Sequence, residues 1–265
     1  VSYISGGQNE NVAKYYDIEP IKDHHYWGNQ PFTAGPVYVG AVILFLFFLG
    51  LIIVPGRFKW GLLTASILAI MLSWGHNFQF LTDLFLDYFP MYNKFRVVSS
   101  ILVVVELCVP ILAILAIKKV LDEPEILQKK VKLFSVKSNV LILPLLLKAG
   151  ISLLLYLIPS QFMVFITKPE TSYFAQIESI NPNAFTYINQ IESDIFNALI
   201  SIFRADALRT ILFVCLIAVL LFGYSKKWFQ ANILISCVVV LILVGLWPVN
   251  KRFLNADSFV PKKEL

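Results

Sequence analysis

Two ionisable residues, Glu106 and Lys148, stand in the middle of long apolar runs. A charge at the centre of a bilayer costs about 2.5–3.5 kcal/mol on insertion scales, so it faces a partner or a water-filled cavity. Glu106 lies 11 residues before the end of its run at Ile117, and Lys148 lies 10 residues into the run that starts at Ser138. At a rise of 1.5 Å per residue their depths differ by about 1–2 Å. Antiparallel neighbours would therefore bring them level, which predicts an intramembrane ion pair or a shared polar cluster. Such a pair can relay a proton or ion, or it can simply fix helix register. A single pair does not make a pathway, which weighs toward register.

A second group is Tyr92-Asn93-Lys94-Phe95-Arg96, just before the apolar run that starts at Val97. The unpaired N–H groups of a starting helix attract anions. Lys94 and Arg96, with Asn93 and Tyr92 beside them, add the donors that a lipid phosphate or pyrophosphate needs. The plainer alternative is snorkelling of both cations to ordinary headgroups. Farther on, Arg204 and Arg209 flank Asp206. They either extend the anion site or neutralise Asp206, and the second is the simpler reading.

Residues 23–31 read Asp23-His24-His25-Tyr26-Trp27-Gly28-Asn29-Gln30-Pro31. Adjacent histidines point apart on a helix or strand and fit no metal-ligand spacing, so no metal is expected. Tyr26 and Trp27 suit a membrane interface or the face of a sugar, with Gln30 in the same loop. His76, after Trp74-Gly75, is a candidate acid or base by residue type alone. No nucleophile elbow, phosphate loop, dinucleotide fingerprint or zinc signature occurs, and no cofactor is implied.

The elements that must position these groups are apolar. Of 265 residues, 58% are hydrophobic and 15% charged, and mean hydropathy is +0.73. An average soluble domain carries about 25% charge. Disorder, fibrous repeats and a disulfide-stapled module are excluded. Cys108, Cys215 and Cys237 all lie within apolar runs, so no framework disulfide is expected. The pattern predicts an all-α, polytopic transmembrane helix bundle with amphipathic interfacial helices on the outer face. Six spans are expected at 35–54, 60–74, 97–117, 138–159, 207–223 and 228–247. They make up a membrane domain over 35–248, with extracytoplasmic segments at 1–34 and 249–265. The run at 60–74 is short for a bilayer about 30 Å thick.

Connectors 55–59, 118–137 and 224–227 carry 10 positive and 3 negative charges, against 11 and 13 on the opposite face. The lysine-rich side is then cytoplasmic and both ends of the chain extracytoplasmic. This assigns the basic pI near 9.0 to topology and the membrane lipids, with no nucleic acid partner. Residues 77–90 space Phe78, Leu81, Phe85 and Tyr88 as an amphipathic helix ended by Pro90. Residues 183–203 do the same with Ile188, Ile191, Ile195, Leu199 and Phe203, after an Asn181-Pro182 start. They lie flat at the headgroups or pack on the protein's own outer surface. The connector 118–137 is expected to hold a short amphipathic helix. The chain starts at Val1 and shows no signal segment, and is expected to be part of a longer polypeptide.

The run from Tyr26 to Gly40 resembles the loop and span start of YfhO-family bacterial integral membrane proteins. So do Leu72-Ser73-Trp74-Gly75, Asp87 to Arg96 and the stretch from Trp247 to Val260. The Tyr92-Asn93-Lys94-Phe95-Arg96 stretch is the most specific element. The resemblance implies a GT-C-like glycosyltransferase in the bacterial cytoplasmic membrane, moving a sugar from a polyprenyl-phosphate carrier to a cell-envelope acceptor on the outer face. In that superfamily the catalytic carboxylate lies in the first outer loop, which falls upstream of this chain, so no catalytic residue is carried over. Lys94 and Arg96 would hold the carrier's phosphate, and the loop at 24–31 would face the sugar or acceptor. The partners implied are the polyprenyl-phosphate-sugar and the rest of its own longer chain. The competing readings are a non-catalytic membrane scaffold of an envelope assembly and a flippase. Sparse charge within the spans weighs against an ion-coupled transporter.

Overall fold

The computed structural model describes residues 37–94, 97–133, 136–162, 171–172, 175, 179 and 185–253. The chain divides into two compact units, one of Val37–Lys148 with Phe213–Pro248, the other including Ala149–Leu212. The longer elements are, in order, α1 (Ala41–Ile53), α2 (Phe58–Ser73), α3 (Gln79–Tyr88), α4 (Val103–Asp122), β1 (Lys130–Leu133), β2 (Val136–Asn139), α5 (Ile142–Leu157), α6 (Phe185–Ser225) and α7 (Ala231–Phe253).

In the first unit α4 is the central helix. It buries Val105, Cys108, Val109, Leu112, Ala113, Ala116 and Val120, a stripe at helical spacing. Against it pack α1 and α2. Gly50 of α1 meets α4 so closely that a methyl group there would stand 2.8 Å from the Leu112 carbonyl oxygen. Phe45, Leu49, Leu112 and Ala116 are fully buried. Small residues let helices approach in this way where no water drives them together.

Outward faces are apolar too. On α4 they present Val103, Leu107 and Ile114, and on α7 Ile233, Val240, Leu243 and Trp247. A surface helix in water is polar there. Among the described residues, three helical stretches are long and apolar enough to cross a membrane: Ser99–Asp122, Glu192–Ser225 and Ala231–Lys251. A fourth arises if Phe58–Ser73 and Gly75–Tyr88, bent by 113°, count as one. The remaining apolar helices are shorter, with 13 residues in α1 and 16 in α5. The molecule is thus mostly helical, with the composition of a membrane protein.

Several expected boundaries are corrected. The connector 118–137 is not an amphipathic helix. Instead, α4 runs to Asp122, a 3-10 turn covers Pro124–Gln128, and β1 pairs antiparallel with β2. Proline biases the residue before it away from helix, and Glu123 leaves the helical region at φ −136°, ψ 76°. Beyond it, Lys130-Val131-Lys132-Leu133 alternates with the period of a strand. The hairpin delays the next helix to Ile142, where Asn139 Oδ1 accepts the Leu141 N–H at 3.0 Å. The expected break between 183–203 and 207–223 is absent, since α6 is continuous over 41 residues. Its polar stretch, Arg204-Ala205-Asp206, holds no glycine or proline to stop it.

Helices α2 and α3 stand where the span at 60–74 and the amphipathic helix at 77–90 are expected. Phe89 is extended ahead of Pro90. Phe78, Leu81 and Phe85 are half-buried as spaced, but Tyr88 is 81% exposed.

Candidate functional site

The stretch expected to bind phosphate begins where α3 ends. Phe89 leaves the helix, Met91 takes a left-handed backbone at φ 68°, and Tyr92–Lys94 forms a single 3-10 turn. Two backbone bonds close it, from Tyr92 N–H to the Phe89 carbonyl at 3.3 Å and from Lys94 N–H to the Met91 carbonyl at 3.0 Å. The Tyr92 ring is held edge-on against Phe85, 5.6 Å between centroids, and Phe85 stacks on Phe89 at 5.4 Å. Its phenol oxygen is buried with no hydrogen-bond partner among the described residues. A buried unsatisfied donor costs about 1–3 kcal/mol. Lys94, two residues on, is exposed. Asn93 lies on the same turn. Arg96 lies outside the described residues, as do Tyr26, Trp27 and Gln30.

His76 stands at the elbow between α2 and α3, exposed on the 3-10 turn Gly75–Phe78. Gly75 is buried with φ +52°, a conformation glycine adopts without steric penalty. The Thr82 hydroxyl donates to the Gly75 carbonyl at 2.8 Å and locks the bend. Trp74 meets Phe78 edge-on across it.

Glu106 and Lys148 do not form the expected ion pair. Ion pairs form instead at Lys119–Glu123 and Arg209–Asp206. Glu106 lies exposed on the outward side of α4, near Val103 and Leu107, and Lys148 is half-buried on α5. Pro110 sits one turn beyond Glu106 within α4. Having no N–H, it leaves the Glu106 carbonyl without its intrahelical donor. Side chain and carbonyl together make one polar spot on an apolar helix.

In the second unit the arginines part ways. Arg209 Nη1 lies 4.0 Å from Asp206 Oδ1, as the neutralising reading has it. Arg204 instead donates from Nε to the Tyr156 carbonyl at 3.3 Å, with its guanidinium over the Tyr156 ring at 5.9 Å. Among the described residues no group of three or more His, Cys, Asp or Glu could hold a metal. A crevice in the first unit, lined by Tyr38, Gly40, Ala41, Phe213, Ile242 and Leu246, offers no carboxylate or histidine for chemistry.

Two features were missed from sequence. The buried Tyr92 phenol depends on the ring's packing against Phe85, which no local spacing shows. The bond from Gln128 Nε2 to the Ser225 carbonyl, 2.9 Å long, joins residues 97 apart. No protein-family model matches the chain, and no curated protein or solved structure is significantly similar to it.

Proposed function

We propose that the chain is the six-span membrane portion of a GT-C-like glycosyltransferase in the bacterial cytoplasmic membrane, with its lysine-rich connectors in the cytoplasm and both ends outside. Its role is to hold the phosphate of a polyprenyl-linked sugar at the outer face through Tyr92, Asn93, Lys94 and Arg96. The observation that carries this reading is the Tyr92 phenol, buried and without a partner next to an exposed lysine on a tight turn. A phosphate oxygen is the acceptor that such a donor lacks, and charge-assisted bonds of this kind contribute about 1.5–3 kcal/mol each. The outer end of a span is where a carrier lipid presents its headgroup. The chain supplies a cationic clamp for the departing phosphate, while the base for an inverting transfer lies elsewhere in the longer protein.

One observation favours a second reading, a non-catalytic scaffold of an envelope assembly. Phe45, Leu49, Leu112 and Ala116 close the α1–α4 contact completely, which suits a rigid support.

The test is Arg96→Ala and Tyr92→Phe in the full-length protein, measuring carrier affinity and sugar turnover. Arg96→Ala and Tyr92→Phe are each expected to weaken carrier binding by about 10- to 100-fold, from the bond strengths above. Unchanged affinity and turnover in both would remove the clamp. Turnover absent from the unmodified full-length protein would favour the scaffold.

A further inference from the structure

The hairpin that replaces the expected connector helix has an unusual charge arrangement. Its register sets Lys130 opposite Asn139, Val131 opposite Ser138, Lys132 opposite Lys137 and Leu133 opposite Val136. Alternate residues of a strand share a face, so positions 130, 132, 137 and 139 lie on one side of the ribbon. Three of these four are lysines. Positions 131, 133, 136 and 138 lie on the other side, and three of them are apolar. Like charges directly opposite each other destabilise a sheet pair. A two-stranded ribbon is marginal by itself, so a lysine pair in its register calls for a compensating anion.

The ribbon is the edge of a larger basic surface. Gln128 holds the Ser225 carbonyl and Leu127 is buried, which docks the 3-10 turn on the end of α6. Lys129 and Lys226 each stand one residue beyond that bond. Lys129, Lys130, Lys226 and Lys227 are exposed. Residues 118–139 and 224–230 hold eight lysines against three carboxylates. The ion pair that forms here, Lys119–Glu123, consumes one of each.

All of it sits at the ends of apolar helices. Two of the membrane-length stretches stop at Asp122 and Ser225, and a third starts at Ala231. Lysines at that level lie within a Debye length of a headgroup layer.

We infer that the β1–β2 ribbon, with Lys129 and the Lys226-Lys227 turn, is a docking platform for anionic phospholipid headgroups of the membrane the chain crosses. The occupant is a lipid surface because the charge is spread along a ribbon and a turn at the mouth of the spans. Each lysine near an anionic leaflet is worth about a fivefold preference at low salt, so the three ribbon lysines together are worth about a hundredfold. The inference rests on the membrane-spanning reading but not on transferase chemistry.

The experiment places the full chain in nanodiscs of phosphatidylcholine with a minor share of phosphatidylglycerol, then counts retained lipids by native mass spectrometry. Phosphatidylglycerol is expected to be enriched over its bulk share. The enrichment should fall at least tenfold in Lys130→Gln, Lys132→Gln, Lys137→Gln combined, and should shrink in high salt. If that variant loses its far-UV helix signal, Lys226→Gln with Lys227→Gln carries the test and is expected to lose enrichment too. Enrichment equal to the parent's in a folded variant overturns the inference. So does enrichment that millimolar inorganic phosphate abolishes, since a small-anion site would then be acting. A chain that does not enter the discs overturns the membrane reading, and this inference with it. A chain that enters them and retains both lipids in bulk proportion overturns this inference alone.

Discussion

Gly50→Ala is the most direct probe of the α1–α4 contact. The added methyl carbon would stand 2.8 Å from the Leu112 carbonyl oxygen and 2.9 Å from Leu112 Cγ. Ordinary contacts begin at about 3.4 Å, so one helix must retreat by about half an ångström. Neither partner yields readily, because the oxygen belongs to the α4 backbone and Leu112 is 0% exposed. Overpacking of this kind costs about 1–3 kcal/mol. Alanine returns about 0.8–1.0 kcal/mol of helix propensity, which leaves a net loss of up to about 2 kcal/mol. Gly61, in α2, provides the control, since a methyl there meets nothing within 4 Å. Gly61→Ala keeps the propensity gain, and the two variants should differ by the overpacking cost, about 1–3 kcal/mol. The assay is reversible unfolding of the full chain in mixed micelles, titrated with denaturing detergent and followed by far-UV circular dichroism. A Gly50→Ala variant as stable as Gly61→Ala would refute the close approach.

Three more outcomes follow from the structure. Lys129→Cys should react with a membrane-impermeant thiol reagent only in opened cells, and labelling in intact cells would invert the topology. Gln128→Ala removes the bond to the Ser225 carbonyl and should cost about 1 kcal/mol in the same unfolding assay, with no change meaning that the turn is not docked. The Lys119 ammonium holds the Glu123 carboxyl below its usual value, by hydrogen bond first and charge second. A depressed carboxylate stabilises the fold above its unfolded pKa, and that contribution is lost as pH falls through the folded value. Lys119→Ala should therefore raise the Glu123 midpoint in carboxyl-detected NMR, and an unmoved midpoint would show that the pair does not form in solution.

Much of the architecture is legible in the residues, because long apolar runs fold as long helices and two prolines stand at helix ends. Pro90 and Pro124 both close helices where they stand. The hairpin escaped because its apolar positions, Val131, Leu133 and Val136, are interleaved with lysines, and a charge count over 118–137 hides a period of two. Continuity of α6 escaped for the opposite reason. A drop in hydropathy at Arg204-Ala205-Asp206 marks a change of surroundings, not of backbone, and every residue there is at ease in a helix. The Glu106–Lys148 pairing rested on depth along the helix axis. Depth says nothing of rotation about it, and the buried stripe from Val105 to Val120 turns Glu106 outward. At the phosphate stretch, charge and residue type were readable from Lys94 and Arg96. The buried phenol of Tyr92 was not, because its neighbour Phe85 lies seven residues back across a left-handed turn.

The short first helices carry a consequence for the surrounding lipid. With 13 residues in α1 and 16 in α2, they reach about 20 and 24 Å, against a hydrocarbon layer about 30 Å thick. On the membrane reading, a dimple of the bilayer around this pair is one way to meet the mismatch, at an elastic cost of a fraction of a kcal/mol for each ångström. A protein seated in such a dimple gathers in the thinner patches of its membrane. Two copies side by side share one depression instead of making two, and so attract each other without touching.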